Sequence, residues 1–321
     1  MSLPRIGITI GDPGGIGPEI VLKSLSDLTS LPAAEYVLFG SMAVLEDMEE
    51  SLCLKLDLTK LTIRDIPYPR SAAKKGVPDR DNGDASFRYF REAVDSARKG
   101  DLAAIVTAPV SKRAWGLAGI SWRGHTDYLE QLYPGAVMTF WSEAMKVALL
   151  SHHLPLKEAV ALVTRKNCER FFRVLRDGVE KSRPEAYEFL VAGLNPHAGE
   201  DGLLGNEERD ALLPAIEEAR ASGMRISGPY PPDVVFRGAL GHPERIVIAL
   251  YHDQGLIPFK LAAFESGVNV TLGLPFVRTS PDHGTALDVA WTNAADPEPM
   301  VRAVLLATRL ALRTPLQVRR Q

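Results

Sequence analysis

The chain has 321 residues, a length that calls for two domains and not one core. Hydrophobic residues make up 45% and charged residues 24%, and the formal net charge is −3, so nothing in the balance offers a basic surface for nucleic acid or an anionic membrane. The two cysteines, Cys53 and Cys168, define no disulfide framework. No signal peptide is legible at the start, and no apolar run approaches the ~20 residues of a membrane span, so a cytoplasmic protein with reduced thiols is expected.

In chain order, RIGITI (5–10) reads as a strand stopped by Gly11. Pro18 suits the first turn of a helix continued by Ile20, Val21 and Leu25. YVLFG (36–40) is a second strand. The stretch 67–82 is polar and reads as an exposed loop or lid. Residues 85–99 form a helix with Phe87, Phe90, Ala93 and Val94 on one face, and DLAAIVT (101–107) is a buried type of strand. Strands follow at 146–150, 188–192 and 245–250. Helices are expected over 165–180, over 206–221 with Asn206 as cap and Glu207 and Glu208 at its positive end, and over 298–312. Strands alternating with helices predict an α/β fold with a largely parallel sheet.

The turn GDPGGIGPEI (11–20) follows a strand and opens a helix, as a dinucleotide fingerprint does. Its glycines, at 11, 14, 15 and 17, miss the G-x-G-x-x-G spacing, and Asp12 and Glu19 would set carboxylates against a phosphate. A pyrophosphate cradle is therefore disfavoured. A tight structural turn and a loop approaching a ligand edge-on both remain open.

Of seven histidines, His125, His153, His197, His252 and His283 lie at strand ends or in polar turns, where α/β folds bind ligands. His153, His197 and His252 each follow a strand closely. Three imidazoles from three strand ends suit one divalent cation, with a coordination position left for substrate. No local spacing fixes that reading, and hydrogen-bonding roles in their loops serve equally well. Asp253 directly follows His252 and Asp233 sits in a turn, each suited to orient a ligand or act as base. Lys260, Asn269 and Arg278 lie in segments with strand-like apolar flanks, and the two cations suit a phosphate as well as they suit surface ion pairs.

The segments GDPGGIGPEI, GHTDYLE, HLPL, LNPHAGEDGLLGNEE, YHDQGLIPFK and VNVTLGLPFVRTSPDHGTALDVA occur in this order between about residues 5 and 290. Together they resemble the 4-hydroxythreonine-4-phosphate dehydrogenase family of pyridoxal phosphate biosynthesis, with the isocitrate and isopropylmalate dehydrogenases as wider relatives. The resemblance implies two α/β/α domains of that type with the active site in the cleft between them. The first domain, on the cofactor side, would be 1–130 plus 270–321; the second, carrying metal and dimer contacts, would be 131–269.

The resemblance also implies roles residue by residue. His153, His197 and His252 match the metal ligands, with His152 an extra neighbour. His125, Thr126, Lys260, Asn269 and Arg278 match substrate contacts, and Asp233 and Asp253 match carboxylates near the reacting centre. The segment DHGTALDVA resembles an adenosine-binding loop, with Gly284, Thr285 and Asp288 facing the cofactor. Asp288 at the ribose would favour NAD over NADP. The implied metal is divalent, with zinc favoured by three imidazoles over magnesium, manganese or cobalt, and the implied assembly is a homodimer that shares its metal ligands.

The implied reaction oxidises 4-hydroxy-L-threonine 4-phosphate at C3 and then decarboxylates it to 3-amino-2-oxopropyl phosphate. A paralogue acting on another phosphorylated hydroxy acid, such as 4-phosphothreonate, would use the same residues. A metal-dependent hydrolase or phosphotransferase would use the histidines but not the adenosine-type loop.

Overall fold

The computed structural model describes residues 3–53, 61–68, 73–180 and 187–313. Among these, no helix is long and apolar enough to cross a membrane. The chain divides into two compact units, residues 1–132 with 275–321, and residues 133–274.

The first unit opens with β1 (Arg5–Thr9), buried at four of its five residues, then α1 (Gly17–Ser24), β2 (Glu35–Gly40), α2 (Met42–Leu52) and β3 (Thr62–Asp65). Helix α3 (Arg80–Lys99) starts five residues earlier than its apolar face suggests. Asp79 caps it by accepting from the Asp81 and Asn82 amides, and Gly100 ends it in the left-handed conformation. The expected loop 67–82 is therefore shorter at its far end, and its residues 69–72 lie outside the described residues. Strand β4 (Ala104–Thr107), α4 (Lys112–Leu117) and α5 (His125–Leu132) follow.

The second unit holds β5 (Val137–Trp141), β6 (Lys146–Leu149), α6 (Leu156–Ala161), α7 (Arg165–Glu180), β7 (Glu188–Ala192), α8 (Leu213–Ala221), β8 (Ile226–Tyr230), α9 (Val235–Ala239), β9 (Arg245–Ala249), α10 (His252–Ala263) and β10 (Val268–Leu272). The chain then returns to the first unit as β11 (Val277–Pro281) and α11 (Glu298–Arg313).

The first unit's strands run β3-β2-β1-β4-β11 and every adjacent pair is parallel. Ile6, Ile8, Val106, Tyr89 and Phe90 are fully buried in its core. The second unit's strands run β10-β5-β6-β9-β7-β8. The expectation of a largely parallel sheet holds, with one exception: β5 is antiparallel to both β10 and β6. The link from β5 to β6 is a short hairpin, residues 142–145, and a hairpin can join only antiparallel strands. Strands β6, β9, β7 and β8 are mutually parallel, so the loops after β6, β9 and β7 leave from one edge. Phe140, Val147, Leu149, Phe236, Leu256 and Phe259 form the core under α9 and α10.

Two further expectations change. Residues Glu208–Leu212 form a wide π-type turn, and the regular helix begins only at Leu213, because Pro214 has no N–H to continue the ladder from the preceding turn. Lys260 lies on helix α10, not on a strand. The apolar run there belongs to a helix with one buried face and one exposed face, which in a short run imitates a strand.

Candidate functional site

In the first unit, the glycine-rich turn is a structural device. Asp12 Oδ1 accepts from the Gly14 amide at 2.9 Å, the Asp12 carbonyl accepts from the Gly15 amide at 3.0 Å, and the Ile16 amide donates to the Thr285 carbonyl at 3.0 Å. The N–H groups that a phosphate cradle would present are thus already used. Gly11 has φ +73°, and a Cβ there or at Gly14 would strike backbone oxygen, so both positions need glycine. Glu19, fully buried, accepts from Lys23 Nζ at 2.7 Å and from the Ala295 amide at 3.0 Å. Trp291 Nε1 donates to the Pro13 carbonyl at 3.0 Å. These bonds fix the loop that carries Gly284, Thr285 and Asp288 onto the first turn of the unit, while Gly284 and Asp288 themselves face solvent.

Asp12 is fully buried. Burial pushes its carboxyl up to about 6, against the opposing pull of the Gly14 and Ser111 amides, and the Asp79 carboxylate raises it further. Its Oδ2 has no hydrogen-bond partner in the described structure.

The last residue of β4, Thr107, the second residue of β11, Arg278, and the first residue of α5, His125, come together. Arg278 is 3% exposed and donates through Nη2 to Thr107 Oγ1 at 2.8 Å. Loss of water around its guanidinium pulls its pKa down to about 10, so it stays cationic at neutral pH. His125 Nδ1 lies 3.5 Å from the same Nη2. Burial and then the Arg278 charge hold the imidazole well below its usual pKa, so it is neutral. A guanidinium can only donate, so Nδ1 is the acceptor and the proton sits on Nε2. Phe90 and Trp115 hold the ring, at centroid distances of 4.4 and 5.6 Å. His125 Nε2 is buried with no hydrogen-bond partner in the described structure. A buried cation beside an unused N–H donor is the equipment for binding an anion. Thr126, half-buried, follows on the same helix.

In the second unit, His152 and His153 follow β6, His197 lies in the loop after β7, and His252 opens α10 directly after β9. The His153 and His252 rings lie 5.7 Å apart between centroids, and His152 sits 5.1 Å from His153. Two imidazoles each about 2.1 Å from a shared cation would place their centroids roughly 5–6 Å apart, so the 153–252 pair fits a common ion. His252 Nδ1 lies 2.7 Å from Asp253 Oδ1, which leaves Nε2 as the ring nitrogen that could ligate a metal. Among the described residues no group of three His, Cys, Asp or Glu side chains is close enough to hold a metal ion, so His197 does not join the pair within one chain. His153 and His197 are exposed and His252 half-exposed. Asp233 is exposed in the turn before α9, and Lys260 and Asn269 are half-buried on α10 and β10.

The His197 loop has an uncommon backbone. Residues 197–201 have φ of 53, 52, 83, 43 and 54°, all left-handed, and only residue 199 is glycine. Each non-glycine residue there costs roughly 1–2 kcal/mol. His153 is also left-handed, at φ 33°. Such strain persists only where surrounding bonds overdetermine it, and it gathers at ligand sites. The buried Glu208 fixes the entry to this loop. Its Oε1 accepts from the Leu194 and Asn195 amides at 2.8 and 2.7 Å, and its Oε2 accepts from Asn195 Nδ2 at 2.9 Å. Sequence reasoning gave Glu208 only a helix-end role and passed over Gln254, Ser151 and Thr107 altogether. Their long-range partners lie 13 to 171 residues away in the chain, beyond the reach of any local pattern.

The chain is 38% identical over 95% of its length to a 4-hydroxythreonine-4-phosphate dehydrogenase of Desulforapulum autotrophicum, covering 94% of that protein. It is also 38% identical over 97% of its length to the D-threonate 4-phosphate dehydrogenase of Salmonella typhimurium, covering all of it. A crystal structure of 4-hydroxythreonine-4-phosphate dehydrogenase from Klebsiella pneumoniae superposes with a TM-score of 0.86 at 37% identity, over 97% of this chain and 98% of that one. Fold and relatives define the class, a dehydrogenase. Within that class, residues 32–307 match the model for pyridoxal phosphate biosynthetic protein PdxA, and the chain belongs to that family.

Proposed function

We propose that this enzyme oxidises a small phosphorylated hydroxy acid with NAD, 4-hydroxy-L-threonine 4-phosphate being the first candidate, and then decarboxylates the product to 3-amino-2-oxopropyl phosphate. The buried Arg278 beside the neutral His125 carries the proposal, because a desolvated cation with an adjacent unused donor suits a dianionic phosphate. Lys260, Asn269 and Thr126 add contacts to the same substrate.

His153, His197 and His252 would hold a divalent cation, zinc before magnesium, manganese or cobalt, which when bound lends charge to the oxygen that loses its proton. The ligand set is completed across a homodimer. Ile257, Leu261 and Phe264 on α10 are 61, 85 and 76% exposed beside His252, and an apolar face of this kind beside a ligand suits burial against a second copy. NAD, the hydride acceptor, would rest on the loop 282–290, with Gly284 and Thr285 giving close backbone approach and the Asp288 carboxylate the ribose contact.

The residues then divide the work. Arg278, His125 and Lys260 anchor the phosphate and so fix the distance to the reacting carbon. Asp253 is committed to His252 Nδ1 and orients that imidazole, which leaves Asp233 as the base that takes the C3 hydroxyl proton as hydride leaves for the nicotinamide. The C1–C2 bond then breaks with loss of CO₂, its electron pair passing into the new C3 ketone, and C2 is reprotonated. Cytoplasmic location is part of the same reading.

The Salmonella typhimurium relative, equal in identity, supports a second reading with D-threonate 4-phosphate as substrate. The two acids differ at C2, amine against hydroxyl. NADH absorbance with each acid, with and without a chelator, is the test. Turnover of the first acid that a chelator abolishes is expected. Turnover of D-threonate 4-phosphate alone transfers the assignment to the second reading, and turnover unaffected by chelation overturns the metal role. Turnover with NADP equal to that with NAD overturns the role of Asp288.

A further inference from the structure

The three strand ends that carry the histidines are stitched together below them by buried polar side chains. Ser151 Oγ donates to the Leu250 carbonyl at 2.7 Å, joining the end of β6 to the end of β9. Gln254 Oε1 accepts from the Leu250 amide at 2.7 Å, and its Nε2 donates to the Gly193 carbonyl at 2.7 Å, joining the start of α10 to the loop after β7. Glu208 takes up the next two amides of that loop, those of Leu194 and Asn195, and the Asn195 side chain. Ser151, Gln254 and Glu208 are 4, 8 and 3% exposed, so water does not compete for these bonds.

We propose that Gln254 and Glu208 form a clamp that positions the metal ligands. Glu208 fixes the Leu194 and Asn195 amides at the entry of the left-handed loop that carries His197, and Gln254 ties that entry, at Gly193, to the helix start that carries His252. Neither side chain touches substrate or cofactor; both act through the histidines, and both are positioning residues. The inference rests on the metal reading of the three histidines. The loop needs such a restraint because four non-glycine residues within 197–201, His197, Ala198, Glu200 and Asp201, stand in a conformation that L side chains disfavour. Without the clamp the loop relaxes, and binding a cation must then order it again.

The test is a cobalt titration of the purified protein, followed by its visible absorption, with amide hydrogen exchange of residues 193–205 measured alongside. Gln254→Glu keeps the bond from the Leu250 amide but sets an oxygen against the Gly193 carbonyl. Glu208→Gln keeps an acceptor for the backbone amides but opposes Asn195 Nδ2 with a second donor. Both are near-isosteric and are expected to keep the fold. Each should weaken cobalt affinity by about 10- to 100-fold and speed exchange in 193–205. Leu175→Ala, a core truncation in α7, serves as the control: it should lower the melting temperature and leave cobalt affinity unchanged. Wild-type protein that binds no cobalt, or His197→Ala that binds it as tightly as wild type, overturns the metal reading and the clamp with it. Loss of affinity in His197→Ala with cobalt affinity within twofold of wild type in both clamp variants overturns the clamp alone, as does equal loss in Leu175→Ala.

Discussion

Replacing Asp12 by Asn removes a buried charge and keeps an acceptor for the Gly14 amide. The carboxyl is pushed from its usual 3.8 to about 6, chiefly by burial, and is fully shielded from solvent. A rise of that size corresponds to about 3 kcal/mol against the ionised form. The sign follows from proton linkage. The folded state holds this proton more tightly than the unfolded chain, so the cost is absent below about pH 4, grows as the pH rises between the two pKa values, and is complete above about pH 7. Asp12→Asn should therefore be more stable than wild type by about 3 kcal/mol at pH 8 and by only about 0.5 kcal/mol at pH 4. At roughly 2 °C per kcal/mol for a chain of this length, the first unit's melting midpoint should rise by about 6 °C at pH 8. Thermal and urea unfolding of both proteins from pH 4 to 8 measures the gap. A gap independent of pH, or a less stable variant at pH 8, would refute the reasoning.

Arg278→Met should lower kcat/KM for a phosphorylated substrate by about 10²- to 10³-fold, the worth of one or two charge-assisted bonds, and leave NAD affinity unchanged in a fluorescence titration. Leu261→Glu combined with Phe264→Glu on the exposed face of α10 should convert the proposed dimer to monomer in sedimentation velocity, since charge on that face opposes its burial. A wild-type protein that sediments as a monomer refutes the dimer. Iodoacetamide at pH 8 should add one adduct per native chain by mass spectrometry, at the exposed Cys53, because burial pushes the Cys168 thiol up to about 12.

The sequence by itself determined the strand-and-helix alternation, since strands such as β1 and β4 are short buried runs and helices such as α3 show an apolar face at helical spacing. It also determined the family, through long ordered motifs, and named His125, Arg278 and the strand-end histidines as candidates. Tertiary structure alone decided three other things. The glycine-rich turn proved to be structural because its amides find Asp12 and Thr285, and Thr285 lies 269 residues beyond Ile16. The antiparallel β5 was illegible because its side chains are buried throughout, so its pattern carries no sign of direction. The restraint on the His197 loop came from Glu208 and Gln254, whose residue types signal only polar surface until folding buries them. Periodicity reports which face of an element is apolar; it carries no record of which distant amide a carboxylate will meet, and in this enzyme that pairing shapes the ground on which the histidines stand.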